Sequence, residues 1–219
     1  GYDLISECER DWAGQPSQYE GGPCFVGVDI AARNDLFVIW VAELVRGRLV
    51  TREIIAEKRI KFAVQDALLA SVFDRYRVVR CVMDQTGMGE KPVEDAKARH
   101  GEDRVQGVLF STASKLEMAT ELKNRMQDRS FLIPAGDPRL RADLHAIKSQ
   151  VGATGIRRLV ADGETDGHAD RFWAAAMAAS AAQTDYQPYA YQPVRRGGRD
   201  DIDRPIKITG GFNARKGMW

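Results

Sequence analysis

The chain has 219 residues, enough for one well-buried core with some tail, and its 32 lysines and arginines nearly balance its 31 aspartates and glutamates. A net charge of +1 excludes a uniformly cationic nucleic-acid-binding surface, so any basic footprint is local. The cysteines Cys8, Cys24 and Cys81 lack C-x-x-C spacing and read as reduced structural thiols, and no apolar stretch approaches the roughly 20 residues of a bilayer-spanning helix. With no signal-peptide pattern either, the expectation is a cytoplasmic protein without a membrane partner. The start at Gly1, without a methionine, gives the expectation of a piece of something longer.

Residues 1–22 are polar, run into Gly21, Gly22 and Pro23, and read as an N-terminal linker or lead-in. From Cys24 three apolar, β-branched runs follow: CFVGVDI (24–30), LFVIWVAELV (36–45) and RLVTREIIAE (48–57). The last two are separated by a short turn at Gly47, which predicts an antiparallel meander. Residues 62–76 space Val64, Ala67, Leu68, Ser71, Val72 and Arg75 at helical intervals. A strand over 77–84 then ends in Asp84, a helix runs to about residue 100, and another strand covers 104–110.

The second half reads as mostly helical. Ser114 and Glu117 stand in capping-box spacing, with Leu116, Ala119, Leu122 and Met126 on one face. After an extended FLIP, Asp137 and Pro138 mark an N-cap and first helical position, with Leu140, Leu144 and Ile147 on one side. Residues 155–162 predict a strand, and HADRFWAAAMAASAAQ an alanine-rich helix that needs close packing partners. Beyond Thr184, proline, glycine, tyrosine and arginine predict an extended, locally basic tail over 186–219, leaving 23–185 as the domain.

Three acids sit where regular elements begin or end. Asp29 and Asp84 each close an apolar strand, and Asp170 opens a helix after DGETDGH. Neighbouring strands lie roughly 5 Å apart, so two strand-end carboxylates can share a divalent ion and a packed helix can add a third. Without metal such a cluster is repulsive; with two ions it becomes a phosphodiester-hydrolysis site. Each acid also fits a plainer role: Asp29 in the turn at ARND, Asp84 capping the next element, and Asp162, Asp166 or Asp170 facing a helix dipole. His168 likewise fits a surface histidine or a ligand.

The segments FVGVDIAARND, VVRCVMDQTGMGEKPVED, FSTASKLEMATELKNRMQD with FLIP, and DGHADRFWAAAMAA together resemble the nuclease domain of phage and prophage large terminases, most similar to the Mu-like branch, over about residues 24–182. The resemblance implies an α/β, RNase H-like fold with a mixed central β-sheet flanked by helices. It implies a metal-dependent endodeoxyribonuclease that cuts double-stranded DNA during packaging with two Mg2+ or Mn2+ ions. Carried over, Asp29, Asp84 and Asp170 are the catalytic, metal-binding triad, with His168 beside them. Where the family often carries further acids, this sequence has Ala169 and Trp173, so Asp166 stands as the alternative third acid.

Phosphate contacts would come from local cations: Lys115, Lys123, Arg157 and Arg158 first, then Lys58, Arg59, Lys61 and Arg125. The resemblance also implies docking of the tail to the portal or other terminase components. No G-x-x-x-x-G-K-[ST] phosphate loop occurs in the chain, so the packaging motor is not expected in these residues. Three other readings remain: a resolvase- or integrase-type nuclease, a sugar-kinase or actin-like ATPase, and a non-catalytic docking module. The ATPase needs a glycine-rich turn after Asp29, which IAARND lacks.

Overall fold

Helix α1 (Tyr2–Cys8) and strand β1 (Glu9–Arg10) precede the meander of β2 (Cys24–Asp29), β3 (Leu36–Val45) and β4 (Arg48–Lys58). There follow α2 (Phe62–Arg75), β5 (Val78–Asp84), α3 (Glu90–His100), β6 (Val105–Val108) and α4 (Thr112–Gln127). The chain continues through β7 (Phe131–Pro134), α5 (Pro138–Ala146), β8 (Ile147–Val151), β9 (Arg157–Ala161) and α6 (Asp170–Ala181). These elements come from a computed structural model that describes residues 1–31, 36–151, 157–161 and 169–183. The tail predicted over 186–219 lies outside the described residues.

Seven strands form one mixed sheet in the order β1-β7-β4-β3-β2-β5-β6, flanked by helices as expected, while β8 and β9 pair as a separate antiparallel hairpin. Within the seven, only β3 runs against its neighbours. The meander forms because a tight turn joins β3 to β4, with Arg46 and Gly47 both at positive φ (50° and 80°), the backbone twist a two-residue hairpin favours.

Strand alternation divides the core. Cys24, Val26 and Val28 of β2, with Cys81 and Met83 of β5, pack against Leu69 and Val72 of α2 and Val93 and Ala96 of α3. Phe25 and Val82 face the other way, into a cluster with α4, α5 and α6. Helix α6 lies at the centre of that second layer. Ala174, Ala175, Ala176, Ala178 and Ala179 are fully buried, which explains the alanine run: larger side chains would hold the helix off the sheet.

Three local expectations are corrected. Residues 1–22, expected as an N-terminal linker or lead-in, carry regular structure: β1 joins the sheet edge beside β7, and Ile5 and Cys8 of α1 are buried. Their glycine end is fixed too, because buried Glu43 accepts hydrogen bonds from the Gly22 N–H (2.6 Å) and from Arg52 Nε (2.6 Å). A buried carboxylate is retained only with such partners. On α2 the buried stripe is Gln65, Leu69 and Val72, while Val64 is exposed, because the Gln65 amide donates to the Ala31 and Ile60 carbonyls. Helix α4 starts one turn earlier than the Ser114/Glu117 spacing implies. Its capping box is Ser111 with Ser114, each hydroxyl accepting from the other's backbone N–H.

All three cysteines are free and buried. Burial raises the pKa of each thiol, that of Cys24 to about 12, so they are poor nucleophiles and metal ligands.

Candidate active site

Parallel pairing sets Val28 of β2 opposite Met83 of β5, so the next residues, Asp29 and Asp84, end adjacent strands at the same edge of the sheet. Because Val28 and Met83 face α2 and α3, alternation turns both acids toward the α6 layer. Asp170, the first residue of α6, reaches this edge as well. Its Oδ2 accepts a hydrogen bond from the Leu36 backbone N–H at 3.2 Å, and Leu36 lies two positions along β3 from Val38, the partner of Asp29. Two strand ends and one helix start thus bring the three acids together at one end of the sheet, and all three are half-buried.

One contact fixes this convergence. Helix α6 crosses β2 at Gly27 so closely that a Cβ there would fall on the Ala174 carbonyl oxygen and within 2.5 Å of the Ala178 nitrogen. Gly27 precedes Asp29 by two residues and Ala174 follows Asp170 by about one helical turn. The glycine therefore sets the distance between the strand-borne acids and the helix-borne one. Just before Asp170, Ala169 holds left-handed backbone angles (φ 48°, ψ 41°), a strained junction for a residue with a side chain.

Asp84 is held from its own turn. Its Oδ1 accepts from the Thr86 N–H at 2.8 Å, and Thr86 Oγ1 in turn accepts from the Phe110 N–H at 2.8 Å, tying the end of β5 to the segment after β6. The turn needs its glycines: Gly87 sits at φ 61°, and a Cβ on Gly89 would overlap the Asp84 carbonyl.

Among the described residues, no three His, Cys, Asp or Glu side chains are gathered closely enough to ligate one ion. Asp84 and Asp170 each direct an oxygen at a backbone N–H instead. The donor set still fits a divalent cation of one kind. Carboxylate oxygens on rigid element ends suit hard ions such as Mg2+ or Mn2+ better than thiophilic ones, and the buried thiols lie elsewhere. Asp166 and His168 lie outside the described residues.

The predicted basic residues separate by position. Lys58 pairs in register with Leu36, so Lys58, Arg59 and Lys61 border the acid end of the sheet on the β4 side, all exposed. Lys115, in the first turns of α4, lies over the rings of Phe110 (4.9 Å) and Trp173 (5.0 Å). Lys123 is exposed two turns further along α4, away from the helix start. Arg125 is engaged by Glu121 at 2.6 Å. Arg157 and Arg158 lie on β9, and their side chains are outside the described ones.

Sequence reading assigned no role to Gly27, Thr86 or Phe110, and Trp173 stood out only as a departure from the acids the family often carries. Only the glycine inside an apolar strand carried a signal, since such glycines mark close backbone approach. A cavity of about 410 Å3 lined by Phe37, Leu69, Met83 and Met88 lies between α2, α3 and the sheet, on the face away from the acids. Among the described residues no helix is long and apolar enough to cross a membrane.

Comparison with known proteins gives a consistent result. Residues 26–182 match the model of the family described as Terminase RNaseH-like domain. No curated protein matches the sequence. Among solved structures, the large terminase nuclease from thermophilic phage G20c with bound magnesium is 21% identical, with a TM-score of 0.62 over 74% of this chain and 82% of that one. The Thermus phage P74-26 large terminase nuclease domain is 18% identical, with a TM-score of 0.62 over 82% of this chain and 93% of that one. The HK97 bacteriophage large terminase is 14% identical, with a TM-score of 0.62; 83% of this chain is covered, but only 43% of that one. At these identities the structural likeness shows the fold, which is RNase H-like as expected.

Proposed function

The chain belongs to the family of terminase RNase H-like domains, and we propose that it is the metal-dependent DNA endonuclease of a phage packaging terminase, cutting double-stranded DNA during genome packaging. The observation that carries the reading is the convergence of Asp29, Asp84 and Asp170 on one end of the sheet from three separate elements. Family membership favours this over the resolvase or integrase reading. Assignment to the Mu-like branch rests on the sequence motifs alone.

In this reading Asp29, Asp84 and Asp170 hold two Mg2+ or Mn2+ ions, with Asp166 and His168 as further candidate ligands. When bound, the ions lower the pKa of an attacking water and stabilise the leaving oxygen. The chain's own contribution is placement. Asp29 and Asp84 are carried on strands paired on both sides, and Asp170 on a helix seated on Gly27, so the backbone beneath each carboxylate is rigid and only the side chains need turn toward an ion. In the same reading Lys58, Arg59 and Lys61 on one side and Lys115 on the other would receive backbone phosphates of a duplex lying across the acids, with Lys123, Arg157 and Arg158 as outer candidates. Such contacts position DNA without reading its sequence.

The test is a supercoiled plasmid incubated with the protein. Nicking and linearisation are expected with Mn2+ or Mg2+, with little sequence preference, and not with Ca2+, whose coordination is looser. A protein that leaves the plasmid intact with both metals at every soluble concentration ends the catalytic reading. Residues 186–219 are proposed as a basic tail that docks to the portal or other terminase components in the cytoplasm of the bacterial host. Removing them is expected to leave plasmid nicking unchanged and to weaken retention on the packaging complex. Loss of nicking in a folded truncation would assign the tail to DNA binding instead.

A further inference from the structure

We propose that Lys115 is a catalytic residue of this site, a cation held on an aromatic platform so that its ammonium meets a non-bridging oxygen of the phosphate being cut. The inference rests on the nuclease reading above and assigns a group beyond the acids to the same centre.

The lysine stands where local physics disfavours it. It follows the capping box of α4 by one residue, and the first turn of that helix contains no acid. A cation so near a helix N-terminus opposes the macrodipole. It is half-buried, and it makes no ion pair with any carboxylate among the described residues. Its ammonium rests instead on two ring faces, Phe110 at 4.9 Å and Trp173 at 5.0 Å, which attract a positive charge without neutralising it. An ammonium kept available in this way, beside a helix N-terminus of the same sign, attracts an anion.

The platform is fastened to the acids on both sides. Phe110 donates its N–H to Thr86 Oγ1, and the Thr86 N–H donates to Asp84 Oδ1. Trp173 lies on α6 three residues after Asp170, and its N–H donates to the Ala169 carbonyl. The rings pack on each other with centroids 5.3 Å apart. Lys115 is thereby placed relative to Asp84 and Asp170 by rigid contacts rather than by a flexible surface stem. A phosphate held beside the acids through a cation would leave one of its non-bridging oxygens open to a donor on this side. The charge on those oxygens grows as the bond to the nucleophile forms, so a fixed ammonium acts chiefly on the rate.

The experiment compares Lys115→Met, Lys115→Gln and Lys115→Arg with the unaltered protein. Cleavage of a labelled duplex is measured in single turnover with Mn2+ at saturating protein, and binding of the same duplex in EDTA. Methionine keeps the apolar stem on the rings and removes only the charge. The Met and Gln variants are expected to lose about a hundredfold in the saturated rate. Their affinity in EDTA should change by less than about threefold, as for the loss of one phosphate contact among many. Arginine should recover part of the rate, because it restores charge with a different shape. A Met variant that cuts at the unaltered rate overturns the proposal. So does a normal saturated rate with weakened binding, which makes Lys115 an outer phosphate contact. Failure of the nuclease reading shows differently: the unaltered protein and the Arg variant bind the duplex but cut nothing with either metal, and both inferences fall.

Discussion

Asp29→Asn and Asp84→Asn are each expected to lower DNA cleavage by on the order of a thousandfold or more, because groups that act as one unit fail together when any one is lost. The change removes a single negative charge and keeps nearly the same shape. Asparagine can still accept the Thr86 N–H that now bonds Asp84 Oδ1, so the turn after β5 should survive. Relief of carboxylate repulsion leaves the melting temperature of the metal-free protein equal or higher. Plasmid nicking and thermal melting, measured on the same preparations, check both halves. A variant that cuts at the normal rate removes that acid from the site. Asp170→Asn should behave alike, since its amide oxygen can keep the Leu36 contact. If it cuts normally while Asp166→Asn is inactive, Asp166 is the third acid and the rest of the mechanism stands.

Gly27→Ala is expected to be the most damaging single methyl in the sheet. The new Cβ would meet backbone atoms of Ala174 and Ala178, which cannot rotate away as a side chain does, so α6 must shift bodily from β2. Overpacking of this kind costs about 3 kcal/mol or more. For a domain of this size that lowers the melting temperature by roughly 6 to 12 °C. Because α6 begins with Asp170, cleavage should fall further than the loss of folded protein explains. Thermal melts together with cleavage rates per folded molecule measure the two effects separately. A variant with the original melting temperature would show that the helix does not sit this close.

The parts of this fold that were legible were those whose physics is local. The apolar run at 36–45 became β3 with the same limits, since ten largely apolar residues between turns have little alternative to a buried strand. Asp137 became an N-cap because Pro138 follows it and its side chain can reach the Arg139 and Leu140 N–H groups. Asp29 and Asp84 stood out as charges ending apolar strands, which burial alone does not produce. The elements that stayed hidden depend on partners distant in sequence. Glu9 and Arg10 are a strand only because β7 offers an edge, and the polar IKSQV of β8 only because β9 pairs with it. Val64 looked like core until Gln65 took the inward position by bonding two carbonyls. Nothing in the sequence marked Phe110 or Trp173 as a cation platform, and only their packing reveals a lysine seated on them.

Asp29, Asp84 and Asp170 are expected to form one metal centre. Diffraction from crystals grown with Mn2+, recorded near the manganese absorption edge, addresses it without relying on catalysis. Anomalous density is expected at the end of the sheet, bounded by the carboxylates of Asp29 and Asp84 and by the start of α6, and is expected to be lost in Asp84→Asn crystals. Empty density among these acids in crystals of a protein that still cuts DNA with Mn2+ would contradict it.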